Sequence, residues 1–309
     1  MNSEHNNLII ETSILIPTHN NGPYLLDTIS SILRQDYQNY EIIIIDDHSN
    51  DNTEMIIRSL QMIEKRLKYY VNEEKQGLVN ALNFGIKQCN GQFIARMDAD
   101  DTMIGTRLSE QIKFLKENRD FVGVSSSMQL FDFNGLFLGN RIVNSNPTEC
   151  KFMLLFCNMY VHSAMTMYSS IFKEYKYDKN YKFCEDYDLW CRISKKHKLG
   201  NLSTIHHSYR IHNSSTRSSS GLAEQRINVL KLLSKNLTEI DIEHTEHELL
   251  IHYCLFNSTT RIGSELEIMK WITKIFESKY LKNEFDQEYL YSKYKYLLNK
   301  FCFPSTVID

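Results

Sequence analysis

The chain has 309 residues, 42% hydrophobic and 24% charged, enough for one large domain or two smaller ones. A net charge of −3 gives no electrostatic case for nucleic-acid binding. The seven cysteines are scattered and form no CxxC pair, which excludes a zinc site or disulfide framework and fits buried thiols in a reducing compartment.

Residues 13–17 predict a buried strand ending at Pro17, and Leu25, Ile29, Ile32 and Leu33 then fall at helical spacing. The run Ile42 to Ile45 has no polar alternation, as expected of a parallel strand covered on both faces. A turn at Asp46 to Asn52 leads to a helix with Ile56, Leu60 and Ile63 inward. A short strand at Tyr69 to Val71 and a helix face of Leu78, Ala81, Leu82, Gly85 and Ile86 follow. Residues 92–97 form the next strand. This β-α-β-α-β-α-β alternation predicts an α/β fold with a doubly wound sheet, whose ligands bind beyond the carboxyl ends of the strands. Three loops would meet there: Pro17 to Asn20, Asp46 to Ser49, and Asp98 to Asp101.

Beyond a helix at 106–118, Phe121 to Ser127 and Met128 to Phe133 look like two strands, with Asn134-Gly135 as a hairpin turn. Residues 183–196 regain helical spacing. The polar, Ser-rich stretch 213–221 fits either a lid or a linker. From Leu222 the chain is helical. Its interleaved Tyr and Lys (Tyr289 to Tyr296) invite a membrane or nucleic-acid reading, but acidic residues outnumber basic ones in 222–309. Packing on the preceding domain is the better expectation.

Several clusters carry chemistry. Asp98, Asp100 and Asp101 place three carboxylates at the end of a strand, a pattern suited to a hard divalent cation and, through it, phosphate. The plainer reading is an acidic helix cap. His19 and Asp47 can bracket a flat base, by stacking and by accepting an imide N–H. The plainer reading makes Asp47 and Ser49 helix caps, and for Ser49 it is the stronger one. Gly77 precedes a helix and lets backbone approach a phosphate or ribose. Glu185 and Asp186 open a helix, where acids favour the dipole, or else supply a general base. Arg210 is suited to phosphate or carboxylate charge, His212 to a metal, while His206 and His207 read as structural. No GxGxxG or GxxxxGK[ST] pattern occurs, so neither a dinucleotide fold nor a P-loop is supported.

In order and spacing these segments resemble the family 2 glycosyltransferases of the GT-A fold, of the type that builds bacterial surface polysaccharide. The matching pieces are Ser13 to Asn20, Ile45 to Ser49, Gly77 to Gly85, Arg96 to Asp101, Glu185 to Trp190 and Tyr209 to His212. The resemblance implies a GT-A catalytic domain over 12–216, with a nucleotide-sugar half (12–101) and an acceptor half (102–216). A helical accessory region over 222–309 follows. It implies that Pro17, His19, Asn20 and Asp47 hold the uracil of a UDP-sugar, although tyrosine often stands where His19 is. Gly77, Asp98, Ala99 and Arg210 would line the rest of the donor. Asp100 would be the principal ligand of Mn²⁺ or Mg²⁺, with His212 completing the site. Asp186 would be the catalytic base and Glu185 its neighbour. Asn83 stands where an arginine is sometimes found.

The implied activity is inverting, metal-dependent transfer of a hexose or N-acetylhexosamine to a saccharide or lipid-linked saccharide hydroxyl. The setting would be lipooligosaccharide, O-antigen or capsule synthesis. An inactive carbohydrate-binding protein on the same fold is the first alternative. A sugar nucleotidyltransferase ranks lower, because residues 12–24 hold no lysine or arginine for a triphosphate. Met1 to Glu11 has no signal-peptide core and no apolar run nears the ~20 residues of a membrane span. The expected location is cytoplasmic, with peripheral inner-membrane contact and self-association through 222–309 left open.

Overall fold

The computed structural model describes residues 10–211 and 219–302. Strand β1 (Thr12–Thr18) and β2 (Tyr40–Asp46) are buried at every position, as their unbroken apolar runs require. Helix α1 (Gly22–Leu33) connects them, and α2 (Thr53–Ile63) leads to β3 (Leu67–Val71). Helix α3 (Leu78–Gln88) then returns the chain to β4 (Phe93–Arg96). These four strands are parallel, in the order β3-β2-β1-β4. Gly85 is the close approach between α3 and the sheet: a Cβ there would lie 2.3 Å from Leu15.

Beyond β4 the sheet turns mixed. After β5 (Thr102–Met103) and α4 (Arg107–Glu117) comes one long strand, β6 (Phe121–Asp132), paired with β7 (Phe137–Arg141). Helix α5 (Pro147–Met153), β8 (Thr166–Tyr168), α6 (Ser169–Tyr175), α7 (Glu185–Ser194) and β9 (Lys198–Ile211) complete the domain. The order continues β4-β8-β6-β9-β5, with β7 beside β6 off the main path. β8 runs antiparallel to β4 and β6, whereas β6 and β9 are parallel.

Some expectations are corrected. Residues 121–133 are not two strands: β6 is continuous, because β8 pairs with Gly123 and Val124 while β7 pairs from Met128 onward. In α2 the buried face is Thr53, Ile57 and Leu60, and Ile63 is exposed. Leu78 is exposed at the start of α3. Neither Asp47 nor Ser49 caps α2, whose N-cap position is Asn52. Of the residues spaced for the inner face of α1, Leu25, Ile29 and Ile32 are buried and Leu33 is half-buried; Leu108, Ile112 and Leu115 of α4 and Leu189 and Ile193 of α7 are buried.

The remaining helices are α8 (Ser219–Glu239), α9 (Glu246–Phe256), α10 (Glu265–Phe276), α11 (Lys279–Glu284) and α12 (Gln287–Phe301). Val229, Leu232 and Leu233 of α8 join the core behind α7. The other four surround Phe152 and Phe156, which leave the α/β domain to fill their core beside Trp271, Ile272 and Leu297. Nε2–H of His252 donates to the Leu155 carbonyl at 2.8 Å, and its Nδ1 accepts the Trp271 indole N–H at 3.3 Å. Burial lowers this imidazole to about 4, so it is neutral. Tyr289 bonds Glu149, and Lys293 pairs with the same carboxylate. Tyr289 and Lys293 thus hold α12 against the α/β domain, whereas Tyr291 and Tyr296 stay exposed. Among the described residues no helix is long and apolar enough to cross a membrane.

Candidate active site

The parallel half delivers its loops to one edge. Met97 N–H donates to the Leu15 carbonyl, so Leu15 and Pro17 both turn their backbone groups toward β4. β4 has ended by then, and the missing N–H of Pro17 breaks no ladder bond. Asn20, at φ 57°, donates its N–H to the Ser49 hydroxyl oxygen at 2.8 Å, and its side-chain oxygen accepts from Asn50 N–H. Ser49 in turn donates to Asp46 Oδ1, whose other oxygen accepts from Tyr69 at 2.6 Å. The first two loops are therefore sewn together.

Asp47 is 4% exposed and well partnered. Oδ1 accepts from Asn72 and Gln76 N–H, and Oδ2 accepts from Gly77 N–H at 2.7 Å. The second acid of the pair thus shapes the approach to α3. Gly77 sits at φ 88° with open space where a Cβ would be, leaving the first turn of α3 approachable. His19 Nδ1–H donates to the Asp47 carbonyl at 2.8 Å, and Nε2 accepts from Lys75. The ring is thereby oriented at the mouth of these loops.

Asp98, Asp100 and Asp101 each offer an oxygen, all within 4.8 Å of one another. They are not equivalent. Asp101 is buried, bonded to His207 Nε2 at 2.7 Å and to Arg210 N–H at 2.9 Å. Burial and the neighbouring Asp98 charge push it up to about 7. Asp98 pairs with Arg96 at 2.6 Å. Asp100 is half-buried and lines a cleft of about 440 Å³ with Asp27, Gln129, Phe131, Phe133 and Arg210. The all-oxygen donor set fits Mg²⁺ or Mn²⁺, with Asp98 and Asp100 half-buried and Asp101 buried. Ala99 is buried, and its carbonyl and that of Asp101 both accept the Thr28 hydroxyl at 2.8 Å. Arg210 braces the loop from outside through the Asp100 carbonyl and Asp27. His212 lies outside the described residues, as does most of the 213–221 stretch.

Glu185 and Asp186 begin α7, backed by buried Leu189 and Trp190. Glu185 is 6% exposed, and burial with the adjacent Asp186 charge pushes it up to about 7. Asp186 is partly exposed. Burial raises it as well, opposed by the Tyr187 N–H and by Asn158, which donates to Oδ2 at 2.7 Å.

Sequence reasoning passed over the residues that link the two acid groups. Arg96 is 3% exposed, and among the described residues its Nε and Nη1 have no hydrogen-bond partner. Burial dominates the carboxyls on both sides, and the Arg96 charge opposes it at Asp101, Glu185 and Asp186 alike. Tyr177 senses Arg96, Asp186, Glu185 and Asp98, and its hydroxyl bonds His162 Nε2 at 2.7 Å. Asn83 holds the Tyr177 backbone by both its N–H and its carbonyl. Arg107, fully buried, donates to the carbonyls of Arg96, Ser163 and Met165, fixing the end of β4 against the turn before β8. One signal was available: a basic residue inside an otherwise apolar strand (Phe93 to Met97) is costly unless paired.

Residues 13–191 match the profile of Glycosyl transferase family 2. The chain is 32% identical over 217 residues to the O-antigen biosynthesis glycosyltransferase WbnJ of Escherichia coli, covering 67% of this chain and 82% of that protein. It is also 32% identical to WfaP of Escherichia coli, a UDP-Glc:alpha-D-GlcNAc-diphosphoundecaprenol beta-1,3-glucosyltransferase, over 65% of this chain and 77% of WfaP. In structure it resembles S. aureus TarS (residues 1–349, solved with UDP-GlcNAc), with a TM-score of 0.61 at 18% identity, over 86% of this chain and 80% of that one. That likeness is one of fold, and the fold is GT-A.

Proposed function

The chain belongs to glycosyl transferase family 2, of the surface-polysaccharide type, and from that premise we propose an inverting transfer of a hexose or N-acetylhexosamine from a UDP-sugar to a saccharide hydroxyl. One observation carries this reading: the buried Arg96 pairs with Asp98 at 2.6 Å, and its charge also lowers Asp186, which supports reading two acid groups about 85 residues apart in sequence as parts of one site.

The parts divide the work. The Pro17–Asn20 and Asp46–Ser49 loops form the nucleotide end, with His19 as the flat surface for uracil and the Asp47–Gly77 contact shaping the approach to α3. The donor partner is a UDP-sugar, as in the complexed relative TarS and in the substrate named for WfaP. Mn²⁺ or Mg²⁺ held by Asp100 and Asp98 would neutralise charge on the departing diphosphate. Asp186, fixed by Asn158, takes the proton from the acceptor hydroxyl as its oxygen attacks the anomeric carbon. One base and in-line attack invert the centre, so an α-linked donor gives a β-linkage. Trp190 and Leu189 keep α7 in place behind the base. The acceptor is a saccharide or lipid-linked saccharide, entering beside Arg210 in the cleft that reaches Asp100. The setting is O-antigen, lipooligosaccharide or capsule synthesis.

The test is a panel of UDP-sugars offered with Mn²⁺ and candidate saccharide acceptors, measuring UDP release. The reading requires acceptor-stimulated release that EDTA abolishes. UDP-sugar binding without release from any member of the panel would favour the inactive carbohydrate-binding alternative.

A further inference from the structure

We propose that the β6–β7 hairpin is a membrane-docking ribbon that inserts its apolar tip into the acyl region of a phospholipid bilayer. The ribbon runs from Phe131 to Ile142 and concentrates exposed apolar side chains. Phe133 is 56% exposed, Leu136 64%, Phe137 51%, Leu138 49% and Ile142 60%. Such a contiguous apolar surface on a ribbon demands a cover.

The shape of the ribbon selects the cover. No position of β7 is buried, so neither face of this strand packs on the body of the protein. A folded partner typically shields one face of a strand, whereas a fluid apolar phase solvates every side of a protruding hairpin. The tip is also built rather than slack. Asp132 Oδ1 accepts from the N–H groups of Asn134 and Leu136, its N–H donates to the Leu136 carbonyl, and Gly135 supplies φ 83°. The Phe131 and Phe137 rings meet edge to face at 5.6 Å. Holding apolar groups outward in a fixed turn has no use in folding the core.

Charge agrees. From Phe133 to Thr148 there is no carboxylate, and the single charged residue is Arg141, near the base of the ribbon. Asp132 is the one carboxylate of the ribbon, its Oδ1 engaged by the turn N–H groups, and Arg141 behind the tip suits a bilayer whose headgroups are anionic. Position agrees as well: Phe131, Phe133 and Gly135 line the cleft that contains Asp100. Docking by this ribbon would set the cleft at the membrane surface. The proposal goes beyond the transfer reaction and does not depend on which sugar is moved.

The test uses the full chain, without donor, mixed with vesicles of phosphatidylglycerol and phosphatidylethanolamine and sedimented. The wild type should bind. Leu136→Ser with Leu138→Ser should weaken binding at least about tenfold. The control pair Met62→Ser with Ile63→Ser, even more exposed on α2, should change nothing. A second measurement guards against a misfolded variant: Phe137→Trp should show a blue shift of indole emission on vesicle addition. The proposal is overturned if the wild type ignores vesicles, if the α2 control loses binding equally, or if the Phe137→Trp emission stays unchanged. It is overturned too if the wild type is a dimer that the hairpin substitutions disperse without any vesicle binding, because the ribbon would then cover a second copy.

Discussion

Asn158 donates its side-chain amide to Asp186 Oδ2 at 2.7 Å, and this bond joins the loop after α5 to the first turn of α7. It orients the carboxylate at the start of α7. It also opposes the desolvation that raises Asp186.

Replacing Asp186 with Asn removes the proposed base and retains the amide-sized side chain. Turnover should fall by about 10²–10⁴, with UDP affinity nearly unchanged. Turnover and calorimetric UDP binding on the same preparation check this, and a parallel loss of both would assign Asp186 to donor binding.

The pH profile follows from Arg96. Burial raises Glu185 and Asp186, so the ionised base is present above its raised value and disappears as pH falls through it. Arg96 lowers both, so Arg96→Met should move the acidic limb of kcat to higher pH, while Arg96→Lys should move it less. A profile that drops uniformly without shifting would limit Arg96 to holding Asp98.

Asp101 couples ionisation to stability. Its folded-state value is about 7 against an ordinary 3.8, so the folded protein holds this proton more tightly than the unfolded chain. That stabilisation is complete below about 3.8 and is lost as pH rises toward 7. In EDTA, the wild-type melting temperature should therefore fall over this interval more steeply than that of Asp101→Asn. Matching slopes in thermal melts would refute the assignment.

For the cation, Asp100→Asn should abolish the increase in UDP affinity caused by Mn²⁺, as read by calorimetry, and should leave metal-free binding of the nucleotide nearly unchanged. Asp47→Asn should act oppositely. It weakens three bonds to the approach to α3, so UDP binding should fall with or without Mn²⁺, and stability should drop by about 2 kcal/mol.

The order of strands and helices through β4 is written in the sequence because parallel strands covered on both faces leave unbroken apolar runs, as Ile42 to Ile45 does. The acid clusters are equally visible, since Asp98 to Asp101 and Glu185-Asp186 fall at element ends. What joins them is not visible. Arg96 reads as an intruder in a strand, and Asn158 lies in a stretch of weak periodicity. Tyr177 is held by Asn83, 94 residues away, and by His162. Asp47 stands out in the sequence as an acid at a strand end, but its three amide donors come from a loop that propensity cannot place. β6 hid its continuity because its neighbour changes along its length.

The two phenylalanines that leave the catalytic domain have a further consequence. Phe152 and Phe156 are buried among α9 to α12, and Asn158 follows two residues after Phe156. Heat that loosens the C-terminal helices must therefore release the segment carrying Asn158. Inactivation would then begin at a temperature where the nucleotide-binding loops are still intact, and a cavity opened at Leu297 would extinguish transfer from a position with no chemistry of its own.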